Sequence, residues 1–258
     1  MRRYANLAIE VASIVALPCV LLTCALSGFR SSALLIFCAA VLSLAMFFAS
    51  WETSRPAIRQ IMPVAVLSAL AAAGRIVFAA APSIQPVTAI CVISGAAFGR
   101  RPGFMTGSIA AFVSNCFLGQ GMWTPWQMYA WGLVGYLAGI FFSRKYATGL
   151  SGSDIEDSEA IRRSKVRACV SVCIFGFLAS YLFSFIMNTW TVVGFGRDFS
   201  ATSVFAIYAA GAVFDTIHAI STVVFLAALY PAWHRKLVRI KTRYGLSPSK
   251  IQAFSTSD

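Results

Sequence analysis

The sequence predicts an all-α, polytopic membrane helix bundle, and three observations carry that prediction. The 258-residue chain is 59% hydrophobic and only 12% charged, about half the ~25% charged content of a soluble domain. Its mean hydropathy is +0.75. Its apolar residues fall into eight runs near the ~20 residues that a helix needs to cross a bilayer. None of the runs shows the dyad alternation of a membrane β-strand. The composition argues against a soluble domain, a secreted disulfide scaffold or a nucleic-acid-binding module. The seven cysteines are odd in number, form no C-x-x-C and sit in apolar runs, as small buried hydrophobes do.

The runs cover about 8–27, 32–50, 61–81, 84–99, 103–118, 126–142, 166–188 and 204–230. Arg2 and Arg3 precede the first as in a signal peptide, and Leu21-Leu22-Thr23-Cys24 loosely resembles a lipoprotein cleavage site. Thr before Cys fits poorly and the chain re-enters the membrane at once, so this run reads as a span. The third carries Ala65, Ala69 and Ala73, four apart on one helix face, followed by Arg75. A small-residue stripe of this kind lets another helix approach closely. The fourth, opened by Gln85 and Pro86, and the fifth, ending near Asn115, are short and suit the interior of a bundle.

The loop before the sixth run reads Gly119-Gln120-Gly121-Met122-Trp123-Thr124-Pro125-Trp126-Gln127, and the helix continues with Met128, Tyr129 and Trp131. Residues 143–167 are polar, with acidic Asp154, Glu156 and Asp157 before a basic run from Arg162 to Arg167. Asp154-x-x-Asp157 resembles the metal-binding pair of prenyl-transferring membrane enzymes, but it has no second copy, so the stretch reads as a cytoplasmic linker. The loop after the seventh run holds Asn188, Trp190, Thr191, Gly194, Phe195 and Arg197. The eighth run carries Asp215 and His218, one turn apart.

The net charge is +12. With the N-terminus inside, eighteen Lys and Arg fall in internal segments, Arg30 and Arg197 lie outside, and Arg75 lies within a span. This positive-inside bias puts both termini in the cytoplasm. The charge is thus an orientation signal rather than a nucleic-acid footprint. Intramembrane charges cost about 2.5–3.5 kcal/mol each on insertion scales, so Arg75 and Asp215 need partners. They are expected to pair with each other or to line a polar cavity open to the outside. Glu10, near a span end, reads as snorkelling to the surface. The outer loops share Trp, Gln, Asn and Gly, a set that suits an uncharged or weakly charged small organic ligand.

Enzymatic machinery is not expected. There is no G-x-x-x-x-G-K-[ST], and the two histidines, His218 and His234, cannot build H-E-x-x-H. Ser221 lies three residues from His218 without a G-x-S-x-G. No metal site and no cofactor is expected.

The alanine stripe, Arg75, Pro82-Ser83-Ile84-Gln85-Pro86-Val87, Ile93-Ser94-Gly95-Ala96-Ala97-Phe98-Gly99, Gly103-Phe104, Gly107, Ser114-Asn115, Gly119-Gln120-Gly121, Trp123-Thr124-Pro125-Trp126-Gln127-Met128 and Gly132-Leu133-Val134-Gly135-Tyr136-Leu137-Ala138-Gly139 together resemble the substrate-specific S components of energy-coupling factor (ECF) transporters. Phe214-Asp215-x-x-His218-Ala219 resembles the last helix of one branch. The resemblance covers about 61–230. It implies a six-helix substrate-binding core there; the two additional N-terminal transmembrane helices in 1–60 depart from the family pattern, and 231–258 reads as a basic cytoplasmic tail.

The resemblance further implies a vitamin-binding subunit of a bacterial cytoplasmic-membrane importer, working with a T component and two ATPase subunits. Ala65, Ala69 and Ala73 would dock the T component. The candidate ligand residues are Arg75, Gln85, Asn115, Gln120, Trp123, Trp126, Gln127, Trp131, Asn188, Trp190, Asp215 and His218. The W-T-P-W block points to a cobalamin-type or related micronutrient. The alternatives are an intramembrane lipid-modifying enzyme using Asp215 and His218 as acid and base, and a self-contained secondary transporter, for which no matching halves are evident.

Overall fold

The computed structural model describes residues 2–26, 33–53, 56, 58–148, 158–195 and 200–243. These residues form α1 (Arg2–Leu26), α2 (Ala33–Thr53), α3 (Ile58–Val77), α4 (Val87–Phe98), α5 (Arg100–Leu118), α6 (Thr124–Thr148), α7 (Ser158–Phe195) and α8 (Ala201–Arg243). The described chain contains no strand. It is an all-α, polytopic membrane bundle, and each predicted run is centred on one helix. Arg30, Arg55, Arg197, Asp154, Glu156, Asp157 and the chain beyond Arg243 lie outside the described residues.

Gln60–Val77 in α3, Arg162–Val193 in α7 and Ala201–His234 in α8 are long and apolar enough to cross a membrane. The other predicted spans depend more on their neighbours. α4 has 12 residues, about 18 Å at ~1.5 Å per residue, well short of a ~30 Å hydrocarbon core. It is apolar except for Thr88 and Ser94, and every residue from Val87 to Ala97 is buried. Such a short helix is stable at membrane depth because protein, not lipid, surrounds it.

α4 packs against α5 and α6 through glycine. A Cβ on Gly95 or Gly103 would run into the backbone of Gly135, and one on Gly107 into the backbone at Trp131. The three helices therefore meet backbone to backbone, and small residues are what make that approach sterically possible. One residue, Gly99, links α4 to α5 with φ at +102°, a conformation strained for any residue bearing a Cβ.

The helix ends differ from the predicted spans for local reasons. α3 stops at Val77, and residues 78–86 turn before α4, with Ala81 N–H donating to the Phe78 carbonyl. Pro82 and Pro86 cannot donate, which ends the helical ladder. The basic run expected in the linker is helical: α6 continues to Thr148 and α7 starts at Ser158, leaving 149–157 between them. The residues expected to form a tail from 231 continue α8 to Arg243. There Lys241 Nζ donates to the Ala97 carbonyl at 2.9 Å, capping the end of α4. Burial lowers the pKa of this lysine.

The N-terminal hairpin rests on α5 and α6. Ser43 Oγ joins α2 to the Ser13 carbonyl of α1. Phe47 stacks on Phe104 with centroids 3.8 Å apart and meets Tyr136 edge-on at 6.2 Å. Tyr129 donates its hydroxyl to the Ile14 carbonyl at 2.6 Å. The expectation for Glu10 is overturned. Rather than snorkelling, it is fully buried and its carboxylate takes Arg100 Nε at 2.6 Å and Arg101 Nε at 2.7 Å. The acidic group lies in the third turn of α1 and both cations lie at the start of α5, so one buried carboxylate ties the hairpin to the α4–α5 corner.

The glycine contact makes a prediction. Gly135→Ala forces α6 away from α4 and α5 and costs about 1–3 kcal/mol, the range for overpacking. It lowers the thermal midpoint of the purified protein in detergent, whereas an unchanged midpoint would show that the helices are not in backbone contact.

Candidate functional site

One connected group of polar side chains lies where α3 and α5 end and where α4 and α6 begin. These four ends lie together because the chain reverses direction at each successive helix. Arg75, in the last turn of α3, donates from Nη1 to Ser114 Oγ at 2.7 Å and to Asn115 Oδ1 at 2.6 Å. Its guanidinium also lies 4.9 Å from the Trp131 ring centroid, within range of a cation–π attraction.

Asn115 is 1% exposed and uses its whole amide. Oδ1 accepts from Arg75, while Nδ2 donates to Thr124 Oγ1 at 3.0 Å and to Gln127 Oε1 at 2.9 Å. Thr124 in turn donates to Gln120 Oε1 at 2.9 Å. Gln120 Nε2 returns to the Phe112 carbonyl at 3.2 Å, folding the α5–α6 loop onto the end of α5. Gly119, with φ at +112°, starts that loop.

A second chain of contacts runs deeper. Trp131 Nε1 donates to Thr88 Oγ1 at 3.0 Å, and Thr88 Oγ1 meets His218 Nε2 at 2.8 Å. The indole N–H can only donate, so Thr88 Oγ1 accepts from Trp131, and the direction of the Thr88–His218 bond follows the histidine tautomer. Phe183 stacks on Trp131 at 4.4 Å and meets His218 edge-on at 5.2 Å. Asp215 lies elsewhere and accepts from Asn188 Nδ2 at 2.9 Å.

The expected Arg75–Asp215 ion pair is therefore not formed. The cation is held by neutral oxygens and an aromatic face, and the carboxylate by an amide. Asp215 and His218 also have separate partners, so they do not form the acid–base pair of the enzyme alternative. Ser221 accepts the Gln85 backbone N–H at 3.2 Å and makes no hydrogen bond to His218.

Of the candidate ligand residues, Arg75, Asn115, Gln120, Gln127, Trp131 and His218 belong to these two connected chains. Trp126 and Trp190 form a separate pair with centroids 6.1 Å apart. Trp123 is 39% exposed and lies over Gly121. Gln85 is placed through its backbone. Trp126 is 1% exposed, and its Nε1 is a buried donor with no hydrogen-bond partner among the described residues. Leaving such a group unsatisfied costs about 1–3 kcal/mol.

Sequence reasoning gave no role to Ser114 or Thr88, although both join the network, and it missed Phe183. The signal for Thr88 was available: it is a lone hydroxyl in the otherwise apolar start of α4, two residues after Pro86. Phe183 carried no such signal among the many phenylalanines of the spans. On α3, Ala65, Ala69 and Ala73 are exposed, whereas Val64, Leu67, Ser68, Ala71 and Ala72 face the bundle. Among the described residues no group of His, Cys, Asp and Glu has the arrangement to hold a metal ion.

A polytopic bundle with a polar and aromatic cluster around one arginine between helix ends has the build of a membrane-embedded binding component. The family model for the ECF-type riboflavin transporter, S component, matches residues 55–235, and the chain belongs to that family. It is a substrate-binding ECF subunit, from a family of transporter components rather than enzymes. Membership implies association with T and ATPase components. The match begins after α2, leaving the N-terminal hairpin outside it. No curated protein and no solved structure matches the chain.

Because Arg75 and Asp215 have different partners, their energetic coupling is small. A double-mutant cycle on thermal stability with Arg75→Gln and Asp215→Asn gives less than about 0.5 kcal/mol, as for non-contacting sites. A coupling clearly above that value would restore the direct ion pair. Asn115→Leu, by contrast, removes an acceptor from Arg75 and costs about 1.5–3 kcal/mol, the range for hydrogen bonds to charged groups. An Asn115→Leu protein that melts with the wild type would show that the network holds nothing.

Proposed function

We propose that this S component captures riboflavin, or a closely similar flat and weakly charged heterocycle, at the helix ends where Arg75, Asn115 and Gln127 meet, and that this end faces outward. The observation that carries the reading is the Arg75–Asn115–Gln127 network. It concentrates polar groups at one end of a membrane bundle without a carboxylate in contact with the cation. Trp126, Trp131 and Trp190 add flat apolar faces, the surroundings that favour a planar ring system with amide-like edges.

The family to which the chain belongs is that of riboflavin transporters, which supports riboflavin in particular. The cobalamin-type ligand expected from the W-T-P-W block gains no such support. The positive-inside charge distribution supports the orientation, with both termini in the cytoplasm of a bacterial cell. The ligand would be released inward with the help of a T component and two ATPase subunits.

The exposed face of α3 is the proposed T-component contact. Ala65 and Ala69 line an apolar groove of about 220 Å³ that α2 and α5 complete with Trp51, Met105 and Ile109. Small side chains there leave room for a partner helix. On this reading residues 61–230 are the six-helix core, and α1 and α2 are an added pair anchored through Glu10.

The test separates binding from coupling. Ala69→Trp abolishes riboflavin uptake by cells that also carry the T component and ATPases, yet the purified variant binds riboflavin as the wild type does. A folded variant that loses binding would overturn the α3 contact. A folded wild-type protein that binds no riboflavin would overturn the ligand.

A further inference from the structure

The indole N–H of Trp126 stands apart from every other polar group described here. Buried side-chain donors in native proteins are paired almost without exception, and those that are not call for an explanation. The neighbouring donors show how thoroughly this region meets that requirement. Trp131 Nε1 has Thr88, and both hydrogens of the Asn115 amide have acceptors. Trp126, one turn before Ala130 on the same helix and 1% exposed, has none. Trp126 meets α7 through Trp190, as Trp131 of the Arg75 cluster meets it through Phe183, so the orphan donor lies on the α7-facing side of α6, nearer the start of that helix than Trp131.

Its surroundings restrict what can satisfy it. Trp190 of α7 is the ring beside it, tilted by 41° at 6.1 Å, and Arg75 is already held by Ser114, Asn115 and Trp131. An acceptor arriving here meets a neutral donor and an aromatic face, with no free cation. This suits a carbonyl oxygen or an imine-type ring nitrogen on the edge of a flat heteroaromatic ring, and it does not suit a carboxylate or phosphate. An indole donor of fixed direction also selects among such rings by the position of the acceptor, because a site built around a hydrogen bond rejects an analogue that lacks it.

We infer that Trp126 is a specificity-determining residue of the binding site, donating its indole N–H to an acceptor on the ring edge of a heteroaromatic ligand, with Trp190 yielding to admit that ring. The inference rests on the outward vitamin site proposed above and adds the group that reads the ligand.

The test uses the full-length protein in detergent and riboflavin as probe, with affinity followed by flavin fluorescence and stability by thermal unfolding. Trp126→Phe keeps an aromatic ring and removes the donor. The expected result is a Kd raised about tenfold or more, the loss of one hydrogen bond at ~1.4 kcal/mol per tenfold, with a ligand-free thermal midpoint that falls because the smaller ring leaves a cavity at a buried position. The unpaired N–H itself makes no interaction in the free protein, so a replacement that keeps the ring shape leaves that midpoint unchanged. Replacing Trp126 by β-(3-benzothienyl)alanine, in which sulfur stands for the N–H, is the shape-keeping second variant and gives the same affinity loss. Either folded variant binding riboflavin within twofold of the wild type would overturn the role of the N–H while leaving the site intact. A wild-type protein that binds no riboflavin would overturn the site itself.

Discussion

Backbone contact among α4, α5 and α6 is the constraint on which the rest of the structure depends. Gly95, Gly103 and Gly135 let three helices approach closer than side chains permit. That proximity shelters α4, which is too short to cross a bilayer and buried from Val87 to Ala97. It also sets the register of the helix ends above it. With α5 and α6 locked together, Asn115 reaches Thr124 and Gln127. With α4 locked against α6, Thr88 reaches Trp131. The site is thus a consequence of how closely the inner helices pack.

The electrostatics of the site follow a simple rule. A charge at membrane depth needs compensation, but compensation need not be an opposite charge. Arg75 is held by two oxygens and a ring face, and Asp215 by one amide. A buried acidic residue that does neutralise cations is Glu10, far along the chain from its partners Arg100 and Arg101. It fixes the N-terminal hairpin rather than the ligand site.

Much of this was legible in the sequence, because length and hydropathy locate helices without reference to their neighbours. The eight runs, the short fourth helix and the small-residue face of α3 all come from local pattern. The residues at the helix ends, including Arg75, Asn115, Gln127 and Trp131, were recognisable as candidates because polar groups are rare in such a chain. Their pairing was not. Charge alone suggested Arg75 with Asp215, yet which groups meet depends on helix rotation and packing, and a single sequence does not encode these in any local pattern. The burial of Glu10 was hidden for the same reason, since a carboxylate near a helix end looks solvated until the Arg100–Arg101 corner is placed against it. The helical continuation of α6, α7 and α8 beyond the apolar runs was missed because composition marks where lipid ends, not where a helix does.

The central claim is that this subunit holds a flat vitamin-like ring at the Arg75–Asn115–Gln127 end of the bundle. Native mass spectrometry of the protein purified from riboflavin-supplied cells tests it most directly. The account predicts one retained molecule of riboflavin mass per chain, absent from a folded Gln127→Ala variant. A folded wild-type protein that carries no such ligand, or a variant that retains it equally, would contradict the account.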